Sequence, residues 1–368
     1  MAAAELSAIA RSIVAGGKGI LAADESTGTI TKRFDTIAVE STDENRRAYR
    51  NLLFTTGGME EFIGGVILFD ETIRQRADDG TAFPELLAAK GVVPGIKVDT
   101  GAQPLAAAAG ETVTEGLDGL RKRLAEYYEL GARFAKWRAT LSVGERLPSR
   151  YCVRVNAQAL ARYAALCQEA GIVPIVEPEV LMDTDHSLDA CYDATARTLQ
   201  ALYAELAVQR VDLEGILLKP NMVIPGKGHA DQASPERIAR ATLDCFRRHV
   251  PAAVPGIVFL SGGQSEVEAT VNLDAITGST GGCGRFRSRT AGPCRHRRWR
   301  RGEGSQRTWR QRRRCSSTGR GATLRLPVGG TTHNSKRSRR RSRFGGVPRD
   351  LDADPAPVPA QAGLRCCR

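Results

Sequence analysis

At 368 residues the chain is long enough for one large barrel or two ordinary domains. Its formal net charge of +12 is made at one end: residues 281–368 hold 24 Lys and Arg against 4 Asp and Glu, and residues 1–280 hold 29 against 37. The bulk of the protein is mildly acidic, which excludes a basic nucleic-acid-binding body and leaves the tail to account for the charge.

The opening stretch, "MAAAELSAIARSIVAGGKG", has no basic segment followed by an apolar core, so no secretory leader is expected. It lacks transit-peptide character, and no apolar run is long enough to span a membrane, so a cytoplasmic protein is expected. Cys152, Cys167, Cys191 and Cys245 are well separated and form no CxxC, and are expected as reduced, buried thiols.

Through residue 263 one pattern repeats: a short apolar run with a polar end, then a longer stretch of helical periodicity. The runs are "GILAADES" (19–26), "GGVILFDE" (64–71), "VPGIKVD" (93–99), "ARFAKWR" (132–138), "VPIVEPE" (173–179), "GILLKPN" (215–221) and "GIVFLSGG" (256–263). Between them lie stretches such as "EGLDGLRKRLAEYYELG" and "VNAQALARYAALCQEAG", with apolar residues at helical spacing and a closing glycine. Strand alternating with helix predicts parallel strands, and seven strands with polar carboxyl ends predict a (β/α)8 TIM barrel lacking its eighth strand. A doubly wound sheet is the alternative, but no strand opens into a GxGxxG turn.

The strand ends bring Asp24, Lys97, Lys136, Arg138, Glu177, Glu179, Lys219 and the run Ser261-Gly262-Gly263 to one face of such a barrel. Any one of these could merely cap its strand or meet solvent. Together they support imine chemistry, in which a lysine attacks a ketone as the neutral amine. Desolvation and neighbouring cations both lower a lysine's proton affinity, and Lys219 on its apolar strand is placed for both. Glu177 and Glu179 are candidates for the proton transfers that forming and dehydrating a carbinolamine requires. "SGGQS" offers backbone N–H groups suited to a phosphate.

The motifs "LAADES", "GIKVD", "AKWR", "IVEPE", "LLKPNM" and "SGGQS", in this order, resemble class I fructose-1,6-bisphosphate aldolase over residues 1 to about 276. The resemblance implies reversible cleavage of fructose 1,6-bisphosphate to dihydroxyacetone phosphate and glyceraldehyde 3-phosphate, as in glycolysis. It implies Lys219 as the Schiff-base lysine and Glu177 as the acid/base of carbinolamine formation and dehydration. Lys136 and Asp24 would sit at the carbon–carbon bond chemistry, with Glu179 in the surrounding charge network. Lys97, Arg138, Ser261 and Gly262 would hold substrate and its phosphates, with Ser26 and Arg33 near the second phosphate. The family needs no metal or other cofactor and is often tetrameric. His186, His229 and His249 are scattered, without the spacing of a zinc site. Another imine-forming aldolase, acting on a different sugar phosphate, is the alternative within the enzyme class.

From about residue 277 the alternation stops, and the arginine-dense remainder departs from the family. It reads as a disordered basic tail, as a nucleic-acid-binding arm carrying Trp299 and Trp309, or as a shifted reading frame. Stepping the implied frame back one nucleotide after Ile276 lets Gly284 to Arg295, "GRFRSRTAGPCR", be read as "WALSFSYGRALQ". "TGRGATLR" (318–325) can likewise be read as "HRARCNSA". The first of these contains the family's "SYGRA"-like phosphate segment, whose arginine would fall where Gly292 stands. Residues 1–276 are therefore expected to form the barrel and 277–368 an out-of-frame basic tail. A nucleic-acid partner is not expected, because the arginines arrive with no folded motif. Without its eighth strand the barrel is expected to be left with two open edges and impaired activity.

Overall fold

The computed structural model describes residues 3–279. The strands are β1 (Gly19–Ala23), β2 (Ile63–Leu68), β3 (Val93–Lys97), β4 (Gly101–Pro104), β5 (Thr112–Glu115), β6 (Phe134–Leu141), β7 (Val173–Val180) and β8 (Leu217–Leu218). Six of them form one parallel sheet in the order β1-β2-β3-β6-β7-β8. Helices lie between successive strands, including Asp43–Phe54, Leu120–Glu129, Arg150–Glu169 and Leu188–Val208. This curled parallel sheet with its helices is of the (β/α)8 TIM-barrel class. β4 and β5 form a separate antiparallel hairpin after β3, which the sequence pattern did not reveal.

The seventh apolar run, 256–263, does not form a strand of its own. It meets β8 through one isolated parallel bridge, Leu218 to Ile257. Three backbone bonds nonetheless continue the ladder: Leu218 N–H to Gly256 O at 3.2 Å, Val258 N–H to Leu218 O at 2.8 Å, and Leu260 N–H to Pro220 O at 3.0 Å. Pro220 has no N–H to give back, so the reciprocal bonding that defines a strand stops at the point where "LLKPN" turns polar. Among the described residues there is no eighth barrel strand. From residue 280 onward, the expectations for the basic tail, its disorder and its shifted frame lie outside the described residues.

Two apolar layers hold the sheet. On its inner side Ile20, Ile67, Phe134, Val173, Ile175, Leu217 and Val258 pack together, with Leu6, Ala10 and Ile13 of the helix Ala3–Ile13. On its outer side Val66, Leu68, Ile96, Ala135, Trp137, Val176 and Leu218 face the helices through Leu124, Leu160, Tyr163 and Leu199. Strand residues alternate between the two layers, as the period of two requires. Phe134 fills the interior between β2 and β3: a Cβ on Gly95 would stand 2.2 Å from its ring, and one on Gly65 2.9 Å. One large and two small residues thus share a single volume.

Register sets where the polar residues begin. Lys97 pairs with Lys136, and Lys136 with Ile175, which pairs with Leu217. Two residues further along, Arg138 pairs with Glu177. The interior therefore changes from Phe134 and Val173 to lysines, then to Arg138, Glu177 and Lys219, moving toward the carboxyl ends. Among the described residues no helix is long and apolar enough to cross a membrane. The four cysteines named above are buried and unbridged.

Candidate active site

β8 ends at Leu218, and the next residue, Lys219, is buried with its N–H bonded to Val176 O at 2.8 Å. That bond continues the parallel ladder, and the period of two puts the Lys219 side chain on the interior face with that of Leu217. Lys219 Nζ lies 2.8 Å from Glu177 Oε1. The other oxygen of Glu177, Oε2, is buried and accepts no hydrogen bond, with Lys136 Nζ 3.5 Å away. One carboxylate therefore lies between the two lysines, hydrogen-bonded to Lys219 and only ion-paired to Lys136.

Lys136 is more tightly enclosed. Its Nζ is 2.7 Å from Asp24 Oδ2 and 3.9 Å from Asp99 Oδ2, in addition to Glu177. Burial works to strip its proton, but Asp24, Glu177 and Asp99 together outweigh burial and hold it charged. The same balance acts on the acids. Burial pushes Asp24 up, yet Lys136 and then Lys219 bring it down to about 2. Burial also opposes ionisation of Glu177, and Lys219 and Lys136 reverse that, keeping its carboxyl below the usual range.

Lys97 Nζ is fixed by one residue twice: to Asp99 Oδ1 at 2.7 Å and to the Asp99 carbonyl at 2.6 Å. Asp99 Oδ2 also accepts the Arg138 N–H at 3.3 Å, so it links β3 to β6 at the site. Arg138 Nε bonds Glu179 Oε2, and Glu179 holds the guanidinium firmly protonated against the effect of burial. Glu179 Oε1 lies against the backbone of Gly262, where a Cβ would come within 2.5 Å of it. Ser261 opens a turn closed by Gln264 N–H to Ser261 O at 3.2 Å, with Gly263 at φ +77°. Beyond it the helix Glu266–Gly278 is closed by a capping box between Ser265 and Glu268.

Lys219, Glu177, Lys136, Asp24, Lys97, Arg138 and Glu179 are thus brought into one connected group, and Gly262 abuts it through Glu179. Ser26 and Arg33 stand beside this group instead. Ser26 Oγ is 3.1 Å from Thr29 Oγ1, and Arg33 Nη1 donates to Glu25 Oε1. Asp99 and Glu25 were not singled out from the sequence. Asp99 could have been found from the alternation along "GIKVD", two residues past Lys97 on the same side. Glu25 carried no such signal, because nothing local announces that a residue beside Asp24 is buried.

A parallel (β/α)8 sheet whose carboxyl face collects lysines and carboxylates defines a barrel enzyme. The chain matches the family model described as "Fructose-bisphosphate aldolase class-I" over residues 5–282. It is 58% identical over 276 residues to a protein of Xanthomonas campestris pv. campestris named "Probable fructose-bisphosphate aldolase class 1", covering 75% of this chain and 83% of the relative. It is 56% identical over 272 residues to Arabidopsis thaliana "Fructose-bisphosphate aldolase 4, cytosolic", covering 74% and 69%. A solved fructose-bisphosphate aldolase from Plasmodium falciparum, in complex with TRAP and a small-molecule inhibitor, superposes with a TM-score of 0.73 at 48% identity. That superposition covers 74% of this chain and 79% of the other. The chain belongs to the class I fructose-bisphosphate aldolase family, whose members are lyases.

Proposed function

We propose that this chain cleaves fructose 1,6-bisphosphate reversibly through an imine on Lys219, with Glu177 moving the protons. The observation that carries the proposal is the buried Lys219–Glu177 contact of 2.8 Å, with Glu177 Oε2 accepting no hydrogen bond. In this reading Glu177 takes the ammonium proton, and the free amine adds to the C2 ketone. The same carboxyl then protonates the carbinolamine oxygen, water leaves, and a protonated imine remains. That cation accepts the C3–C4 bonding electrons once the C4 hydroxyl has lost its proton. Asp24 and Lys136 serve this bond, Asp24 as an ionised carboxylate and Lys136 as a fixed positive charge. Glyceraldehyde 3-phosphate departs, the enamine is protonated at C3, and hydrolysis frees dihydroxyacetone phosphate and the lysine. Lys97, Arg138, Ser261 and Gly262 hold the substrate and its phosphates, Glu179 keeps Arg138 aimed, and Ser26 and Arg33 lie toward the second phosphate. The names of the relatives favour fructose 1,6-bisphosphate over another sugar phosphate.

The same proposal includes a cytoplasmic enzyme in glycolysis and a homotetramer once the fold is complete, which light scattering tests. It also includes a barrel made by residues 1–276 and an out-of-frame segment from 277, tested by the nucleotide sequence around that codon. The central test is borohydride trapping with dihydroxyacetone phosphate. Labelling is expected at Lys219 and is lost in Lys219→Met; label that persists in this variant rules the assignment out.

A further inference from the structure

The helix Asp43–Phe54 buries Arg46, Arg50 and Phe54 along one side. Charged side chains reach such depth only when they are well paired. Arg46 is: its Nε lies 2.9 Å from Glu71 Oε1, its Nη2 lies 2.7 Å from Glu71 Oε2, and it also bonds Asp43. Arg50 is not. Its side chain is 3% exposed, yet Nε and Nη1 find no acceptor. Among its N–H groups only Nη2 has a polar partner, 2.9 Å from Glu25 Oε2 without an aligned hydrogen bond and 3.4 Å from the Glu25 carbonyl, while the guanidinium carbon lies 5.1 Å from the centre of the Tyr49 ring. Glu25, 6% exposed, gives its other oxygen to Arg33, which is 40% exposed. One buried carboxylate is therefore shared by a half-exposed arginine and a buried arginine with two idle donors.

We propose that Arg50 is a positioning residue that offers Glu25 a second seat and so releases Arg33 to the substrate's second phosphate. This rests on the reading of Arg33 given above. A phosphate arriving at Arg33 competes with Glu25 Oε1 for the same guanidinium, and two anions cannot share one cation in a partly buried place cheaply. Arg50 resolves the conflict because its Nη2 is already 2.9 Å from the carboxylate and its guanidinium has two further N–H groups unused. Glu25 can leave Arg33 and stay paired. Without Arg50, freeing Arg33 strands a buried carboxylate, and recognition of the phosphate bears that cost. Because the imine is made elsewhere, Arg50 acts on the second phosphate and not on the chemistry at C2.

The test compares kcat and KM for fructose 1,6-bisphosphate and for fructose 1-phosphate, which lacks that phosphate. Arg50→Met, Arg50→Lys, Arg33→Ala, Glu25→Gln and Glu25→Gln/Arg50→Met are made in the full chain and in its frame-restored version, so low activity of the former leaves the comparison intact. Arg50→Met is expected to raise KM for the bisphosphate about tenfold, the size of one lost charge-assisted contact. The monophosphate values should stay within about twofold, since Arg50 lies off the imine centre. Arg50→Lys, with the charge but not the fork, recovers part of the loss. Should Arg50→Met fail to fold, the double variant decides: with no carboxylate to strand, its bisphosphate KM matches that of Glu25→Gln alone. Equal losses with both substrates, or no loss with either, overturn the proposal. If Arg33→Ala leaves bisphosphate KM unchanged, the reading of Arg33 fails and this inference falls with it. If Arg33→Ala raises it while Arg50→Met does not, this inference alone fails.

Discussion

Lys136 and Lys219 are both buried, but carboxylates are divided unequally between them. Lys136 has Asp24, Glu177 and Asp99 around it, whereas the ion pairs of Lys219 end at Glu177. A lysine held charged by three acids is poorly suited to attack a ketone, which supports the proposal that Lys219 is the nucleophile and Glu177 the group that would move its proton. Glu177→Gln keeps the shape and removes the base, so kcat is expected to fall by about 10²–10⁴ with a smaller change in KM. Single-turnover trapping with borohydride checks it, and a kcat within tenfold of the parent would count against the assignment. Asp24 gives a prediction in pH. Its carboxyl lies near 2 in the folded chain against an ordinary 3.8, so the unfolded chain binds its proton first as pH falls. The stability it contributes is full above 3.8 and is lost as pH falls through that window toward 2. A shift of this size corresponds to about 2 kcal/mol. Urea unfolding of Asp24→Asn beside the parent should show a gap that narrows as pH drops below the ordinary carboxylate value. A gap independent of pH removes the argument.

At the scale of elements, much of the barrel could be read directly, because each strand is an apolar run that turns polar where it leaves the core. Lys97, Lys136, Glu177 and Lys219 were visible for that reason. The hairpin of β4 and β5 was not, since "GAQP" and "TVTE" show neither an apolar run nor alternation, and their pairing is set by backbone bonds. The run 256–263 was read as a full strand because its apolar residues are right, while the interruption lies in its neighbour, at Pro220. Arg50 looked like an ordinary charged helix residue; only tertiary packing buries it. Packing also explains why a strand carries a glycine in its middle. Gly95 lies in mid-strand, where a Cβ would come within 2.2 Å of Phe134. Gly95→Ala is therefore expected to destabilise by about 1–3 kcal/mol, as overpacking does. Phe134→Ala alone opens a cavity costing about 3–5 kcal/mol. Combined, the two should cost clearly less than their sum, because the new methyl occupies space the ring vacates. Denaturant midpoints of the four proteins measure the coupling, and strict additivity would show that the two residues do not share that volume.

For the whole molecule, the question is closure. Among the described residues β1 pairs with β2 as its one strand neighbour, and the ladder bonds of the stretch 256–260 go to β8 and its continuation. Both edges belong to a sheet whose inner side is packed with Ile20, Ile67 and Val258, so an open slot would expose apolar side chains beside unpaired backbone groups. Each buried backbone group without a partner costs about 1–3 kcal/mol, against a total stability of roughly 5–15 kcal/mol for a typical domain. A few such groups are enough to decide whether the barrel holds. The relative from Xanthomonas is matched over 83% of its length, so it possesses further sequence that this chain does not match. The shifted reading of "GRFRSRTAGPCR" offers one candidate for that sequence, with alternating apolar residues ahead of a glycine–arginine pair. Restoring the frame after Ile276 should therefore raise the melting temperature and soluble yield. It should also bring Lys219 to near-stoichiometric trapping with dihydroxyacetone phosphate. The chain as written should label weakly or aggregate under the same conditions. Equal labelling and equal melting of the two proteins would mean that residues 277–368 already complete the fold, and the frame argument would be lost.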